Sequence, residues 1–136
     1  MSTQMTVEEM QSFIENAFKK CTIRVVELGD MYSLIEQETD DYNLRPGGTV
    51  SGPTLMTLAD TGLYTALLAQ IGPVALAVTT NLNINFLRKP EPGLIRAETK
   101  LLKLGKRLAV GEVTITSNND PDPVAHVTGT YSIPPR

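Results

Sequence analysis

The chain predicts an α+β domain in which one long central helix is wrapped by a curved antiparallel sheet of about five to six strands. Three observations carry this reading. Residues 53–70 are apolar around almost the whole circumference of a helix, and such a helix is buried nearly all round. Everything after residue 75 reads as strands separated by turn-rich joints. The 136 residues show no internal repeat and no low-complexity run, so one domain over 1–136 is expected, with residues 1–20 as an N-terminal helical extension. A helix without a polar stripe needs a sheet that curls around it.

Each element has its own signal. In 7–20 the residues Val7, Met10, Phe13, Ile14, Ala17 and Phe18 fall at helical spacing, with Thr6 as N-cap and Glu9 three residues on as a capping box. Residues 22–28 and 31–37 read as two strands around a Gly29-Asp30 turn. An acidic tract from Glu36 to Asp41 and a loop to Gly52 follow. The long helix starts at Pro53, with Gly52 or Ser51 as its cap, and stops at Gly72-Pro73. In 75–88, Val78, Thr80, Leu82, Ile84 and Phe86 alternate with Thr79, Asn81, Asn83 and Asn85. Pro90 and Pro92 end that strand, and 94–103, 107–117 and 123–133 are three more, giving six strands in a meander.

Composition excludes several classes. Hydrophobic residues make up 41% and charged residues 20%, as in an ordinary folded domain. The lone cysteine, Cys21, cannot form an intrachain disulfide and reads as a packed thiol. One cysteine and one histidine, His126, give no zinc set, so no metal is expected. The polar start MSTQMTVEEM has no apolar core of a signal peptide. Residues 61–87 carry no charge, but Gln70, the Gly72-Pro73 break and three asparagines argue against a membrane span, so the expected location is the cytoplasm. An acidic chain with 5% aromatics and no tryptophan is a poor nucleic-acid binder.

The net charge of −3 is unevenly placed. Residues 1–87 hold ten acids against four bases, whereas 88–107 hold seven bases, Arg88 and Lys89 first, against two acids. Such a segment is either a pair of strands with solvated outer side chains or a positive surface for a small phosphorylated ligand.

The candidate chemistry lies in RPGGTVSGPTLMTLAD, residues 45–60. A glycine-rich loop runs into the apolar helix, where free backbone N–H groups await a negative charge. Between Pro53 and Lys89 the only acid is Asp60. An unpartnered buried carboxylate costs several kcal/mol, about the scale that selects against one without a use. The alternative is a structural carboxylate satisfied by Thr57, Tyr64 or loop N–H groups. Tyr64, one turn on along the same face, reads as pocket wall, hydroxyl donor or core. Ser51 reads as a cap or a site residue. Asn81 and Asn83 line a site or a subunit contact, or face solvent.

Residues 45–60, taken with TTNLNINFLRKP (79–90), resemble the hotdog-fold acyl-CoA thioesterases of the phenylacetate-degradation (PaaI) type, over roughly 20–133. The family pattern is a His-Gly-Gly at the start of the central helix, a carboxylate two turns in, and a Thr-rich strand ending in Phe-Leu-Arg-Pro. Leu58-Ala59-Asp60 and Phe86-Leu87-Arg88 match it, and Gly52 falls on its first glycine. The resemblance implies a single hotdog, no cofactor apart from the coenzyme A of an acyl-CoA substrate, and a homo-oligomer, either a dimer or a dimer of dimers. It implies an active site at the subunit interface, with the Gly52 N–H on the thioester oxygen and Asp60, from the other subunit, as general base or nucleophile. Arg45, Ser51, Tyr64, Asn81, Asn83, Arg88 and Lys89 are the expected substrate contacts, the last two for the coenzyme A phosphates. Three positions depart from the pattern: Ser51 replaces histidine, Pro53 the second glycine, and Arg45 an asparagine. Proline removes one N–H from the oxyanion site. Arg45 would hold Asp60 or clamp an acidic substrate instead. The rival functions are an acyl-CoA or acyl-carrier binding protein without turnover, and an interaction module that binds a partner protein at its sheet edge.

Overall fold

The computed structural model describes residues 3–19 and 21–135. Helix α1, Val7–Ala17, opens on the predicted capping box: Thr6 accepts from the Glu9 N–H while Glu9 accepts from the Thr6 N–H. It is shorter than the predicted 7–20. Phe18 leaves the helix in an extended conformation and its ring moves onto Tyr64, while Lys20 lies outside the described residues. Met10 and Ile14 are fully buried, which makes α1 part of the core.

Six strands follow: β1 (Ile23–Gly29), β2 (Tyr32–Glu38), β3 (Val78–Phe86), β4 (Leu94–Leu104), β5 (Leu108–Ser117) and β6 (Asp120–Ser132). Helix α2, Gly52–Ile71, separates β2 from β3. All neighbours are antiparallel, in the order β1-β2-β4-β5-β6-β3. The expected meander is therefore wrong in one respect. β3 does not lie between β2 and β4 but at the far edge beside β6. The physical reason is α2: it occupies the link from β2 to β3 and carries the chain across the concave face, so the next strand lands on the opposite flank of the helix. The short link of Pro90, Pro92 and Gly93 then brings the chain back to pair β4 with β2.

The curved sheet buries α2 as its composition demands: Leu55, Leu58, Leu63, Leu67 and Leu68 are all essentially inaccessible. The helix seats on Gly111 and Gly129, which lie opposite one another on β5 and β6. A Cβ at either would collide with Leu63, so these two glycines set how closely α2 approaches the sheet. The ends are as predicted in kind. Ser51 is the N-cap, and Gly72, at φ 93°, closes the C-terminus in a conformation that favours glycine. The β1–β2 turn is one residue later than expected, on Asp30-Met31, because Gly29 still pairs with Tyr32.

Of the basic segment, Arg88 and Arg96 are used in ion pairs within the fold. Glu36, buried on β2, is held between Arg24 of β1 and Arg96 of β4. Among the described residues no helix is long and apolar enough to cross a membrane, and no group of three His, Cys, Asp or Glu side chains is placed to hold a metal ion.

Candidate active site

Asp60 sits in the third turn of α2, half-buried, on the side of the helix facing β3 and β6. Two hydroxyls converge on one of its oxygens. Thr79 of β3 donates to Oδ1 at 2.6 Å, and Tyr131 of β6 donates to the same atom at 2.8 Å. The strand register explains the pairing: Thr79 and Tyr131 are direct cross-strand partners, so both emerge side by side on the concave face. The other carboxylate oxygen, Oδ2, has no hydrogen-bond partner among the described residues.

Two sequence expectations change here. Asp60 is satisfied by Thr79 and Tyr131, not by Thr57, Tyr64 or loop N–H groups. The alternation in 75–88 predicts Thr79 on the asparagine face, yet it points inward. A register shift between Thr79 and Asn81 inserts one extra residue, Thr80, and reverses the alternation at that point. Asn81 and Asn83 keep the outer face and are exposed; within one chain neither is brought to Asp60.

Burial raises the Tyr131 pKa, the Thr79 hydroxyl opposes that, and the negative charge of Asp60 raises it further. The phenol therefore stays protonated and remains a donor. Tyr64 is also raised by burial; its hydroxyl donates to the Ala75 carbonyl at 3.1 Å and so is not a donor to Asp60. It is pocket wall. A cavity of about 720 Å³ opens beside the second to fourth turns of α2, lined among others by Asp60, Tyr131, Leu82, Met56, Tyr64 and Phe18. Of the expected catalytic and substrate-contact residues, Asp60 and Tyr64 border it.

The remaining candidates are placed elsewhere. The Ser51 hydroxyl accepts from the Thr54 N–H at 3.3 Å and shares a 2.9 Å contact with the Thr54 hydroxyl, so it works as a helix cap. Gly52 is the first residue of α2, and its N–H has no partner among the described residues, as the geometry of a helix start requires. The Phe86 ring closes over it: a Cβ on Gly52 would stand 3.3 Å from that ring. Arg45 is exposed in the loop, where its backbone bridges to Thr49 and Gly48; its guanidinium does not reach Asp60. Arg88 is engaged by Asp120 at 3.0 Å and by the Asp122 carbonyl at 2.8 Å, whereas Lys89 is exposed. Thr79 and Tyr131 are the partners of Asp60 that the sequence does not announce. Thr79 was hidden by the extra residue in β3. Tyr131 had only the inward alternation of 125, 127, 129 and 131 to mark it.

One family model matches the stretch of sequence that carries this carboxylate. The thioesterase superfamily model aligns with residues 47–124, which contain the loop, α2 and β3 to β5. The chain belongs to the thioesterase superfamily. A protein assigned as a thioesterase from Silicibacter sp. TM1040 is 39% identical, with 99% of this chain and 96% of that chain covered and a TM-score of 0.90. The acetyl-CoA-bound smu.793 protein of Streptococcus mutans UA159 is 23% identical over 88% of this chain and 94% of its own, with a TM-score of 0.74. A single-residue mutant of the phenylacetic acid degradation protein PaaI from Thermus thermophilus is 22% identical over 90% of this chain and 99% of its own, with a TM-score of 0.71. Among curated protein sequences none matches the chain significantly. This thioesterase-superfamily chain thus has the hotdog architecture, a helix inside a curved antiparallel sheet.

Proposed function

We propose that the protein is an acyl-CoA thioesterase that hydrolyses an acyl-CoA thioester to the free acid and coenzyme A. The observation that carries this is the state of Asp60: one oxygen is fixed by two hydroxyls, and the other is left for chemistry beside a cavity. As a general base, Oδ2 takes a proton from a water while the water oxygen bonds to the thioester carbon. As a nucleophile, Oδ2 bonds to that carbon directly. In either case the carbonyl oxygen becomes an oxyanion, the carbonyl re-forms as the C–S bond breaks, and the sulfur leaves as thiolate and takes up a proton. In the nucleophile case the acyl group is left on Asp60 as a mixed anhydride, which a water then hydrolyses to the free acid and the restored carboxylate. The fixed hydroxyls hold the carboxylate in one orientation, which avoids reorganisation at the moment of reaction.

The oxyanion donor is the Gly52 N–H. Gly52 precedes Asp60 by eight residues on the same helix, about 12 Å along its axis at 1.5 Å per residue, so one chain does not bring the two to one carbonyl. A second copy supplies the missing half. β3 is an edge strand of the sheet, and its pairing with its own copy would be isologous, giving two equivalent sites. The assembly is a homodimer or a dimer of two such dimers. The nucleotide end of coenzyme A lies over the basic segment, with Lys89 foremost because Arg88 is already engaged by two aspartates. The acetyl-CoA bound by the Streptococcus mutans neighbour supports this ligand class.

A second reading has its own observation. Pro53 offers no N–H and Ser51 is used as a cap, so the loop retains few donors. That favours an acyl-CoA or acyl-carrier binding protein that does not turn over. Coenzyme A release, followed by thiol titration over a panel of acyl-CoAs, separates the two. For the thioesterase, Asp60→Asn lowers kcat by ~10²-fold or more while the affinity for a non-hydrolysable thioether analogue is kept. Tight binding without release by the unmodified protein establishes the binding reading instead.

A further inference from the structure

The far wall of the cavity comes from a part of the chain that the superfamily model does not match. That model spans 47–124, yet Phe18, Lys19, Cys21, Thr22 and Ile23 all border the cavity. Phe18 follows the last turn of α1, where the chain turns to enter β1. Its ring meets Tyr64 edge-on with centroids 5.7 Å apart. Tyr64 in turn lies 6.1 Å from Tyr131, and the Tyr131 hydroxyl holds Asp60. Phe13, from within α1, stacks on the Tyr64 ring with centroids 6.4 Å apart.

These contacts form one continuous aromatic wall. It begins at the carboxylate and ends at Phe18. The thioester carbon must sit at Asp60, so the acyl tail has the Tyr64 ring beside it and Phe18 where the wall stops. Met56, Ile23 and Leu82 add apolar surface to the same cavity. Its 720 Å³ falls within the range of roughly 300–1,000 Å³ usual for small-molecule sites.

We propose that Phe18, supplied by the N-terminal segment, is the specificity-determining residue that limits the length of the acyl tail. The substrate class is an acyl-CoA whose apolar tail runs along Tyr64 and ends against Phe18. The inference rests on the thioesterase reading and adds the acyl selectivity to it. Phe18 is 47% exposed, so its ring can be exchanged without emptying the core.

The test uses the intact chain with Phe18→Ala and Phe18→Trp. kcat/KM is measured on a ladder of straight-chain acyl-CoAs from short to long, and affinity on the matching thioether analogues. Phe18→Ala moves the preferred tail length upward, with about tenfold or more gain for the first chains beyond the wild-type limit, the scale of one methylene in an apolar pocket. The ratio of long-chain to short-chain kcat/KM therefore rises, with the shortest substrates changing least. Phe18→Trp moves the limit downward. If turnover persists and both variants keep the wild-type profile, the role of Phe18 is overturned and the thioesterase reading stands. A uniform fall at all lengths also overturns it, because it marks a structural side chain. If the unmodified protein neither binds nor hydrolyses any member of the ladder, the thioesterase reading fails and this inference with it.

Discussion

The sheet has two edges, and they are treated differently. At one edge, β1 is closed from within the chain. The Gln11 side chain of α1 donates to the Ile23 carbonyl at 3.0 Å and accepts from the Val25 N–H at 2.7 Å, as a neighbouring strand would. At the other edge, the outer side of β3 has no partner strand among the described residues, and Leu76, Val78, Phe86 and Leu87 on and around it are more than half exposed. An unpaired edge is a liability that proteins blunt with charge, proline or a covering element. β3 carries neither charge nor proline along its length, from Val78 to Phe86. It is also the strand that carries Thr79 to Asp60. The covered edge therefore belongs to stability, and the open edge belongs to the proposed shared site.

The largest effect should come from charging the open edge. Asn83 lies near the middle of β3 with its side chain outward. In a symmetric pairing its two copies approach each other, and like charges in that position are destabilising. Asn83→Lys should shift the molar mass in sedimentation towards the monomer and cut kcat/KM by ~10²-fold, the scale of one lost oxyanion donor. Glu27→Lys on β1 is the matched control and should change neither quantity. A fully active Asn83→Lys monomer would refute the shared site.

Thr79→Val comes next. It keeps the shape of the side chain and removes one of the two hydroxyls on Asp60. Misplacement of a catalytic group costs up to ~10²-fold, and Tyr131 remains, so a fall of roughly tenfold to a hundredfold in kcat is expected. KM should hardly move, and Thr79→Ser should restore most of the rate. An equal loss in Thr79→Ser would show that packing, not the hydrogen bond, matters there.

The fold was more legible in the sequence than the site was. All six strands and both helices announce themselves through periodicity, caps and turn dipeptides, because those signals are local. The position of β3 does not, since strand order depends on where α2 carries the chain. Asp60 stood out as a lone acid in an apolar helix, and the resemblance gave it a role. Its partners did not stand out. One extra residue in β3 reverses the face of Thr79, and Tyr131 lies 71 positions from Asp60, joined to it only by the sheet register. Ser51 reads first as a cap and then as a site residue, and its hydrogen bonds to Thr54 make it the cap.

The closed edge predicts a smaller effect, on stability. Gln11→Ala leaves the Ile23 carbonyl and the Val25 N–H without their side-chain partner. Half-buried polar groups left unpaired cost about 1–3 kcal/mol, so the urea midpoint should fall with an unchanged slope. Activity should survive at low denaturant, because Gln11 is remote from Asp60. The variant would also expose a second edge, so concentration-dependent association above that of the wild type is expected in light scattering.

The smallest effect is on alkaline stability, and it separates the Tyr131 donor from its ring. The folded pKa of Tyr131 lies above its ordinary value of 10, first because the phenol is buried and then because Asp60 is negative beside it. In the unfolded chain the same phenol ionises near pH 10. Above that pH the folded state binds more protons than the unfolded state, so stability falls as pH rises; below pH 10 the contribution is fully present and constant. The slope for this one group is about 1.4 kcal/mol per pH unit once the unfolded phenol has ionised. Tyr131→Phe removes the titrating group but keeps the ring that packs beside Tyr64. Its unfolding free energy at pH 7 should be lower than that of the wild type, since Asp60 loses a donor. Between pH 10 and pH 11 it should decline less steeply. Chemical denaturation at those three pH values reads both numbers. Parallel curves for the two proteins would show that Tyr131 ionises in the fold as it does in the unfolded chain, and the burial of its phenol beside Asp60 would then be wrong.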